Sequence, residues 1–294
     1  MTSSDDASTI AVLGATGRQG GAVARRLLVD GWRVRALTRS PASAAARALA
    51  ASGAEVVAVD MSDRPSLDAG FAGAHGVYSV QNPVTSSVEA EVAQGRNVGD
   101  AARQAGVAHV VYGSAGTGAS DTGVASWDSK LEIEAHMREL ELPVTVLRPM
   151  AFMELMTDKA FYPQVSTWHV MPKLLGESTA VPWTAVDDLA AVAAAVFADR
   201  ERFLGRDLPL ASDLRPIGEC REIYRQVFGR RPRHFPMPVW MFERVAGHDL
   251  TTMWNWWREA RPQSETQTLR NIWPEALTVR AWLERQKARP AGGS

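Results

Sequence analysis

Short apolar runs alternate with helical patterns throughout the first half of the chain, and this alternation limits the possible folds more than any other feature of the sequence. The runs are rich in β-branched residues and lie at residues 9–13, 33–38, 55–59, 76–80, 109–113 and 144–148. Helices are predicted at residues 20–30, 42–51, 88–105 and 129–140. Runs that are apolar throughout indicate strands covered on both faces. The sequence therefore predicts an α/β fold with a doubly wound parallel sheet.

The second half is less regular, because five prolines interrupt it: Pro163, Pro172, Pro182, Pro209 and Pro216. Helices are predicted at residues 187–199 and 219–228, and the aromatic-rich residues 239–261 form either a helical lid or an interface. We expect a sheet domain over residues 1–150 and a smaller, irregular portion over residues 151–286 that includes the last sheet elements. A disordered tail is expected over residues 287–294.

Composition and charge exclude several classes of protein. The chain of 294 residues has a formal net charge of −1, so it has no basic field that would attract nucleic acid. The basic run Arg230-Arg231-Pro232-Arg233-His234 is short and broken by proline, and we interpret it as a solvated loop. No apolar run approaches the ~20 residues that cross a bilayer. The single cysteine, Cys220, suits a reducing compartment, and the histidines lack metal-ligand spacing. We therefore expect a cytoplasmic protein without membrane, nucleic-acid or metal partners.

A glycine-rich turn, Gly14-Ala15-Thr16-Gly17-Arg18-Gln19-Gly20, follows the first predicted strand and opens the first predicted helix. Such a tight turn needs residues without a Cβ, and bare backbone lets a pyrophosphate come close. The free N–H groups and the positive end of the following helix then hold the phosphates. A purely structural glycine turn is the alternative. In this setting the motif predicts a dinucleotide-binding Rossmann sheet, with these residues at the cofactor: Gly14, Thr16, Gly17, Arg18, Gln19 and Gly20.

The end of the second predicted strand indicates which dinucleotide is bound. Enzymes that use NAD usually place Asp or Glu there, whereas this chain has Thr38-Arg39. A guanidinium can pair with the 2′-phosphate of NADP, which a carboxylate would repel. A solvated surface arginine is the alternative. Arg18, inside the glycine turn, would add a second positive charge. We therefore predict NADP(H) as the cofactor.

Two further turns follow predicted strands. Asp60-Met61 ends the third strand, where the adenine would lie, and Gln81-Asn82 follows the fourth, beside the nicotinamide ribose. Ligands of doubly wound sheets bind beyond the carboxyl ends of the strands. We therefore include these four residues in the predicted cofactor site.

With these elements in place, the chain resembles the NmrA-like family of atypical short-chain dehydrogenases. Besides the glycine turn, the segments that carry the resemblance are Gln94-Gly95-Arg96, Val111-Tyr112-Gly113-Ser114, Trp127-Asp128-Ser129-Lys130, Leu147-Arg148-Pro149 with Phe152-Met153-Glu154, and Val186-Asp187-Asp188. The resemblance implies an NADP(H)-binding protein, and we include Pro149 and Phe152 in the cofactor site. The family holds quinone, enone and dye reductases, aromatic-natural-product reductases, and non-catalytic NADP(H) sensors that regulate other proteins.

The chain departs from its relatives at one catalytic position. Typical short-chain dehydrogenases place a Tyr four residues before a Lys on one helix face, and the lysine lowers the pKa of the phenol. Here Lys130 is present, but Ser126 stands in place of the tyrosine. Tyr162 and Tyr224, which lie outside the predicted strands, belong to no recognisable motif. We therefore expect acceptors that delocalise the charge left by hydride transfer, such as quinones, conjugated enones or iminium ions.

Two residues are predicted to act chemically. Lys130 would bind the nicotinamide ribose and act as an acid or an electrostatic stabiliser, unless it is a surface lysine on an amphipathic helix. Ser114, at the end of the fifth predicted strand, would hydrogen-bond a substrate oxygen or cap a turn. The residues predicted by position to line a substrate pocket, with plain core packing as the alternative for each, are Trp127, Phe152, Met153, Trp168 and Trp183.

Two functions are consistent with these features. The first is an NADPH-dependent reductase that transfers hydride to a conjugated or aromatic small molecule, with the second half of the chain forming the substrate-binding portion. The second is a non-catalytic NADP(H) redox sensor that regulates a protein partner. The missing tyrosine favours the sensor, whereas the aromatic-rich second half favours the enzyme. A homodimer is left open.

Overall fold

The structure, a computed structural model, describes residues 8–82, 87–158, 166–233, 237–262 and 264–289, and these residues form two compact units. The first unit consists of Met1–Gly118, Ser126–Arg148 and Leu189–Leu208. The second unit consists of Ala119–Ala125, Pro149–Asp188 and Pro209–Ser294. Each unit therefore combines segments that are distant in the sequence.

Ten strands occur among the described residues, and all six predicted strands are confirmed to within one residue at each end. The strands are β1 (Thr9–Val12), β2 (Arg33–Thr38), β3 (Glu55–Ala58), β4 (Gly76–Ser79), β5 (His109–Gly113), β6 (Val144–Pro149), β7 (Ala151–Phe152), β8 (Ala180–Thr184), β9 (Asp207–Leu210) and β10 (Asp213–Pro216). Seven of them form one sheet in the order β3-β2-β1-β4-β5-β6-β9. Every neighbouring pair from β3 to β6 is parallel. The strand order reverses between β1 and β4, which is the switch point at which Rossmann sheets bind ligands.

The helices of the described residues are α1 (Arg18–Val29), α2 (Ala44–Ala51), α3 (Arg64–Phe71), α4 (Val88–Ala105), α5 (Ala125–Glu139), α6 (Met171–Leu175), α7 (Val186–Ala198), α8 (Arg200–Phe203), α9 (Ile217–Phe228), α10 (Val239–Ala246), α11 (Asp249–Ala260), α12 (Gln267–Ile272) and α13 (Val279–Ala288). A short 3₁₀ helix spans Met153–Met156, and a π-helical turn spans Ser166–Val170. None of these helices is both long and apolar enough to cross a membrane.

Helices α3 and α5 are among those that differ from the sequence-based expectation. Helix α3 is not predicted, because Pro65 and Gly70 lie within it. Proline is tolerated in a first turn, where its missing N–H has no helical partner. Gly70 is needed because a Cβ there would lie 2.9 Å from the Val59 side chain. Helix α5 begins at Ala125, four residues earlier than predicted, so Ser126 is helical.

Helices α4 and α5 pack closely in the core of the first unit. Val98 of α4 and Ile133 and Met137 of α5 are fully buried. The two helices approach each other at Gly95, where a Cβ would overlap the Ile133 side chain. This close packing holds together the two helices that carry the buried charges of the site described below.

The second unit contains a three-stranded mixed sheet in the order β10-β8-β7. Strand β8 is antiparallel to β10 and parallel to β7. Trp183 of β8 is fully buried, and its indole N–H donates to the Arg215 carbonyl oxygen at 3.0 Å. Helix α11 packs on α6, and α13 packs on α9.

The aromatic-rich residues 239–261 form helices α10 and α11. Trp254 and Trp257 of α11 are buried, and the Trp257 indole donates to the Ala180 carbonyl oxygen at 3.2 Å. Helix α11 therefore packs on the second unit through one face, and a lid or an interface over residues 239–261 stays a prediction. Helix α10 leaves the Trp240 side chain 67% exposed.

The disordered tail is predicted to begin at residue 287, but the last helix extends beyond that residue. Helix α13 continues to Ala288, and the Lys287 ammonium donates to the Val227 carbonyl oxygen at 2.7 Å. The helix is stabilised at its start by the Thr278 hydroxyl, which accepts from the Ala281 N–H, and along its length by the buried Trp282. Residues 290–294 of the predicted tail lie outside the described residues.

Glu154, in the short 3₁₀ helix of the second unit, has a perturbed carboxyl group. Its Oε1 accepts from the Val186 N–H at 3.1 Å, whereas its Oε2 is buried and has no hydrogen-bond partner among the described residues. Burial, aided by the nearby Asp187, raises the pKa of Glu154 to about 7, although hydrogen bonds from the backbone and from the Trp282 indole oppose the shift. A carboxyl group with this pKa holds a proton in the folded protein where an exposed one is ionised.

Replacing this carboxyl group tests its contribution to stability. Between about pH 5 and pH 7 the folded state keeps a proton that the unfolded chain has lost, so the free energy of unfolding falls as pH rises through this window. Glu154→Gln removes this loss, and we expect the variant to be more stable than the wild type by about 2 kcal/mol at about pH 8, with little difference at about pH 5. Urea unfolding at both pH values measures this difference in the free energy of unfolding. Glu284→Gln, at an exposed position of α13, is the control and should change neither value. An equal effect of Glu154→Gln at both pH values would contradict the assignment.

Candidate active site

The glycine turn joins β1 to α1 in a conformation that only glycine permits. Gly14 has a φ of +61°, and the Gly17 N–H donates to the Gly14 carbonyl oxygen at 2.8 Å, which closes the turn. A Cβ at Gly20 would overlap the carbonyl oxygens of Leu13 and Gly14. Helix α1 can therefore start directly behind the strand, and its first turn faces the carboxyl end of β1.

The predicted ribose-binding residues follow β2, beside this turn. The hydroxyls of Thr16 and Thr38 lie 3.1 Å apart, which joins the glycine turn to the end of β2. Arg39, the next residue, is exposed, and its guanidinium is bonded to no described residue. Arg18 is also exposed, at the start of α1. The structure thus places a guanidinium that is bonded to no described residue beside a turn of bare backbone.

The residues predicted at the ends of β3 and β4 are linked to each other. The Gln81 side-chain amide donates to the Ser79 hydroxyl at 2.8 Å and lies 3.6 Å from the Met61 sulfur. The Gln81 Oε1 is buried and has no partner among the described residues. Asp60 accepts the Ser62 N–H at 2.8 Å and so shapes its own turn. A buried acceptor without a donor is costly in a folded protein, so the Gln81 oxygen suits a ligand that brings an N–H or O–H group.

Lys130 lies in a buried ion pair. Its ammonium donates to the Glu91 Oε1 at 2.5 Å and to the Gln81 carbonyl oxygen at 3.0 Å. Glu91, in the first turn of α4, is fully buried, and its other oxygen accepts the Ser129 hydroxyl at 2.5 Å. Burial lowers the pKa of Lys130, and Glu91 opposes this shift. The alternative of a surface lysine is therefore wrong, because only 7% of the side chain is exposed.

Glu91 is the member of this site that the sequence does not indicate. An acidic residue in the first turn of a helix is expected from the helix dipole alone. Nothing in the sequence connects position 91 to position 130, because the two residues meet only through the packing of α4 on α5. The only available signal was its place three residues before the Gln94-Gly95-Arg96 segment.

Ser114 belongs to a separate buried network in the first unit. Its hydroxyl donates to the Glu134 Oε1 at 2.6 Å, and Arg148 donates to the Glu134 Oε2 at 2.5 Å and to Asp207 at 2.8 Å. The Ser114 proton is therefore already committed to a carboxylate. A role towards a substrate oxygen stays a prediction, and the network itself ties β5 and β6 to α5.

Tyr112 is a buried phenol of β5 without a hydrogen-bond partner among the described residues. Burial raises the pKa of Tyr112 well above its usual value, and Glu91 and Glu134 raise it further. Ser126 is half-buried on α5, one helical turn before Lys130. Neither hydroxyl has the acidity of a phenol whose pKa is lowered by a lysine.

The residues predicted to line a substrate pocket have different surroundings. Trp127, in the first unit, packs against Gly116, where a Cβ would lie 2.7 Å from the indole ring. In the second unit Met153, Trp168 and Trp183 are buried, and the Trp168 indole N–H donates to the Met156 carbonyl oxygen at 3.0 Å. Phe152 is only half-buried. Their assignment to a pocket stays a prediction.

The remaining predicted residues lie in different environments. Pro149 is buried at the end of β6, and Asn82 is exposed after Gln81. Tyr224 is buried in α9, with its ring centroid 5.4 Å from that of Trp168. Tyr162 lies outside the described residues. The structure therefore brings together Thr16 with Thr38, Met61 with Gln81, and Gln81 with Lys130.

Comparison with known proteins identifies the family. The sequence profile of the NmrA-like family matches residues 6–283. The NmrA-like family domain-containing oxidoreductase FrzB of Cladobotryum sp. is 32% identical over 258 residues, which cover 79% of this chain and 77% of FrzB. The chain belongs to the NmrA-like family, and its curated relatives place it among the oxidoreductases of that family.

Two solved structures share the fold. The transcriptional regulator NmrA in complex with NADP superposes with a TM-score of 0.77 at 21% identity, covering 95% of both chains. The triphenylmethane reductase of Citrobacter sp., complexed with NADP(H), superposes with a TM-score of 0.75 at 21% identity, covering 95% of this chain and 99% of the reductase. The Rossmann architecture predicted from the sequence is confirmed by these similarities.

A double-mutant cycle tests the coupling between Lys130 and Glu91. We expect Lys130→Met or Glu91→Leu alone to lower the free energy of unfolding by about 3–5 kcal/mol, because each leaves a buried charge without its partner. The double variant should lose less than either single variant, since it leaves neither charge behind.

The exposed pair formed by Arg96 and Glu132, 2.7 Å apart on the same two helices, is the matched control. Its cycle with Arg96→Met and Glu132→Leu should give a coupling energy near zero, because solvent screens the pair. Urea unfolding measures all six variants. Additive losses at Lys130 and Glu91 would show that the two charges do not depend on each other.

Proposed function

We propose that the protein is an NADPH-dependent reductase that transfers hydride to a conjugated or aromatic small molecule. One observation carries the proposal: a turn of bare backbone at the start of α1 stands beside an arginine that is bonded to no described residue. Turns of this kind hold the pyrophosphate of a dinucleotide, and a guanidinium at the end of β2 suits the 2′-phosphate of NADP. The same cofactor is present in the NmrA and triphenylmethane reductase complexes.

The residues of the first unit fit this cofactor. The bare backbone of the glycine turn and the first N–H groups of α1 would hold the diphosphate, and Thr38 and Arg39 would bind the adenosine ribose with its phosphate. The other residues of this unit assigned to the cofactor are Thr16, Arg18, Gln19, Asp60, Met61, Gln81, Asn82 and Lys130. The sequence also assigns Pro149 and Phe152, which belong to the second unit. The unpartnered Gln81 oxygen would accept a hydrogen bond from the nicotinamide half. NADPH supplies the hydride when it is bound.

Lys130 is the group that would act on the reacting atoms. Two of its three N–H donors are used by Glu91 and the Gln81 carbonyl, and the third is bonded to no described residue. This donor can meet a ribose hydroxyl or the substrate atom that gains negative charge. Because burial lowers the pKa of Lys130, its ammonium releases a proton more readily than an exposed one. Glu91 and the Gln81 carbonyl fix the position of the ammonium.

The surroundings of Lys130 favour acceptors that need little protonation. Ser126 stands where typical short-chain dehydrogenases carry a tyrosine, and the Ser114 proton is held by Glu134. An unconjugated ketone would become a localised alkoxide, which needs an acid at the same moment. A quinone, an enone or an iminium ion spreads or neutralises this charge. The similarity to a reductase of triphenylmethane dyes supports this class of acceptor.

A second candidate function is an NADP(H) sensor that regulates a protein partner without turnover. The observation that favours it is the same Ser126, together with the hydrogen bond that commits the Ser114 proton to Glu134.

Two further proposals concern the cellular location and the oligomeric state of the protein. A cytoplasmic location is supported by Cys220, a buried free thiol, and a homodimer is supported by the exposed apolar Trp240 and Val245 of α10.

The first test concerns the cofactor. Arg39→Asp places a carboxylate at the ribose end of β2, so it should repel the 2′-phosphate and accept the 2′-hydroxyl of NAD. We expect the ratio of the NADP⁺ and NAD⁺ dissociation constants to shift towards NAD⁺ by at least about 1 kcal/mol. Titration calorimetry with both nucleotides measures the two dissociation constants and their ratio. Arg33→Asp makes the same change of charge at the other end of β2 and should leave the ratio unchanged. An unaltered NADP⁺ affinity in Arg39→Asp would remove Arg39 from the site.

The second test concerns the reaction. NADPH oxidation is followed with a panel of quinones, enones, iminium dyes and unconjugated ketones. We expect kcat/KM for the best conjugated acceptor to exceed that of any unconjugated ketone by at least about tenfold. The double variant Lys130→Met/Glu91→Leu, which avoids an unpaired buried charge, should lower kcat by about 10- to 100-fold.

The two candidate functions give different results in this assay. NADPH consumption with any conjugated acceptor supports the reductase. Tight NADP(H) binding without consumption across the whole panel supports the sensor. Faster reduction of plain ketones than of every conjugated acceptor would contradict the proposed substrate class. Thermal unfolding of the double variant serves as the control for its fold.

A further inference from the structure

We propose that the second unit carries a binding cavity for a small, multiply charged oxyanion, a ligand with phosphate or carboxylate groups. The cavity has a volume of about 370 Å³, which lies within the range of small-molecule sites. It is formed wholly by residues of the second unit. The residues that line it are Trp168, His169, Pro172, Lys173, Glu177, Arg221, Arg231 and Pro232.

The charges of the cavity do not cancel. Arg221 is neutralised, because it donates to the Glu177 carboxylate at 2.6 Å and to the Trp168 carbonyl oxygen at 3.0 Å. Lys173 and Arg231 form no ion pair with a carboxylate among the described residues, and Glu222, which interacts electrostatically with Arg231, is itself paired with Arg225. Two positive charges therefore remain at one cavity of the second unit.

The two remaining cations also keep most of their hydrogen-bond donors. The Lys173 ammonium makes one long hydrogen bond, 3.5 Å to the Met237 carbonyl oxygen. The Arg231 guanidinium, with five N–H groups in a fixed fork, is bonded to no described residue. Charge-assisted hydrogen bonds to an oxyanion would use these donors, and the fork of an arginine matches the geometry of phosphate and carboxylate groups.

Two residues that line the cavity, Trp168 and His169, are held by their own contacts. Trp168 and His169 are only 2% and 4% exposed. The Trp168 indole N–H is used by the Met156 carbonyl oxygen, and the His169 Nε2 lies 3.0 and 3.1 Å from the backbone nitrogen and oxygen of Met237. Because these two side chains are already held in place, they do not need to rearrange when a ligand binds, which lowers the free-energy cost of binding.

The sequence run Arg230-Arg231-Pro232-Arg233-His234 gains a role in this arrangement. A solvated basic loop was the expectation from the sequence, yet Pro232 is buried and lines the cavity together with Arg231. The pyrrolidine ring fixes the backbone torsion of Pro232 and so limits the positions that Arg231 can take. Arg230 and Arg231 are both exposed, but only Arg231 lines the cavity.

Calorimetric titration of the full chain with two probes tests the proposal. Pyrophosphate represents a phosphate-bearing ligand, and phthalate represents a carboxylate-bearing one. Each titration is made with and without saturating NADP⁺, so that binding at the glycine turn is recognised separately. We expect one site per chain that persists when NADP⁺ is present. Tighter binding of pyrophosphate than of phthalate would identify a phosphate ligand, and the reverse order would identify a carboxylate.

Matched variants distinguish the cavity from general charge effects. Arg231→Glu and Lys173→Glu should each weaken the binding of the better probe by at least about tenfold, because each removes a direct charge-assisted contact. Arg230→Glu makes the same change of charge one residue away and should change the affinity by less than about twofold. Arg39→Asp should leave this site unaltered, whatever it does to the cofactor.

Three outcomes would overturn the proposal. The first is no binding of either probe up to about 10 mM, the upper end of useful small-ligand affinities. The second is an equal loss in Arg230→Glu and Arg231→Glu, which would indicate long-range charge alone. The third is complete loss of binding when NADP⁺ is added. None of these results depends on whether the protein reduces any substrate.

Discussion

The Lys130 ammonium and the Glu91 carboxylate lie 2.5 Å apart inside the first unit. The Lys130 side chain is only 7% exposed, and the Glu91 side chain is fully buried. Taking both ions out of water is costly, and the cost is offset only when their remaining hydrogen-bonding atoms are satisfied. Here Ser129 serves the second carboxylate oxygen, and the backbone after β4 serves the ammonium. The position of Lys130 is therefore set by α4, by α5 and by the end of β4 together. The proposed chemistry depends on this position.

A second buried charge network lies in the same unit and has a different role. Glu134 is fully buried between Ser114 and Arg148, and Asp207 accepts a further hydrogen bond from Arg148. These groups satisfy one another and leave Ser114 without a free proton. The two networks thus have different roles. The first fixes the Lys130 ammonium, which keeps one N–H that is bonded to no described residue. The second links β5 and β6 to α5. The unpartnered Tyr112 hydroxyl belongs to neither network through a hydrogen bond among the described residues.

The sequence predicts the elements that follow from local physical rules. All six strands of the first half are correct, because buried parallel strands are apolar throughout their length. The glycine turn is also predictable, since Gly14 and Gly20 occupy positions that a Cβ would obstruct. Helix α3 is not predictable in this way, because Pro65 and Gly70 are compatible with a helix here only through their position and packing in the folded protein.

The partners of polar side chains are equally inaccessible to sequence reasoning. Ser114 meets Glu134 and Lys130 meets Glu91 through contacts 20 and 39 residues apart. Trp168 and Trp183 carry no signal that separates a core residue from a pocket residue, since an indole buries the same apolar area in either place.

The division of the chain into interleaved segments has a consequence for its synthesis. Domains fold as units while the ribosome is still at work. The first unit has all its segments once Leu208 has emerged, whereas the second unit still lacks α13, which is completed about 80 residues later. At ordinary rates of translation this interval lasts roughly 5–15 s. During that time β8, with Trp183 and its apolar neighbours, is without its final helical partners. The second unit therefore stays incomplete on the ribosome for longer than the first.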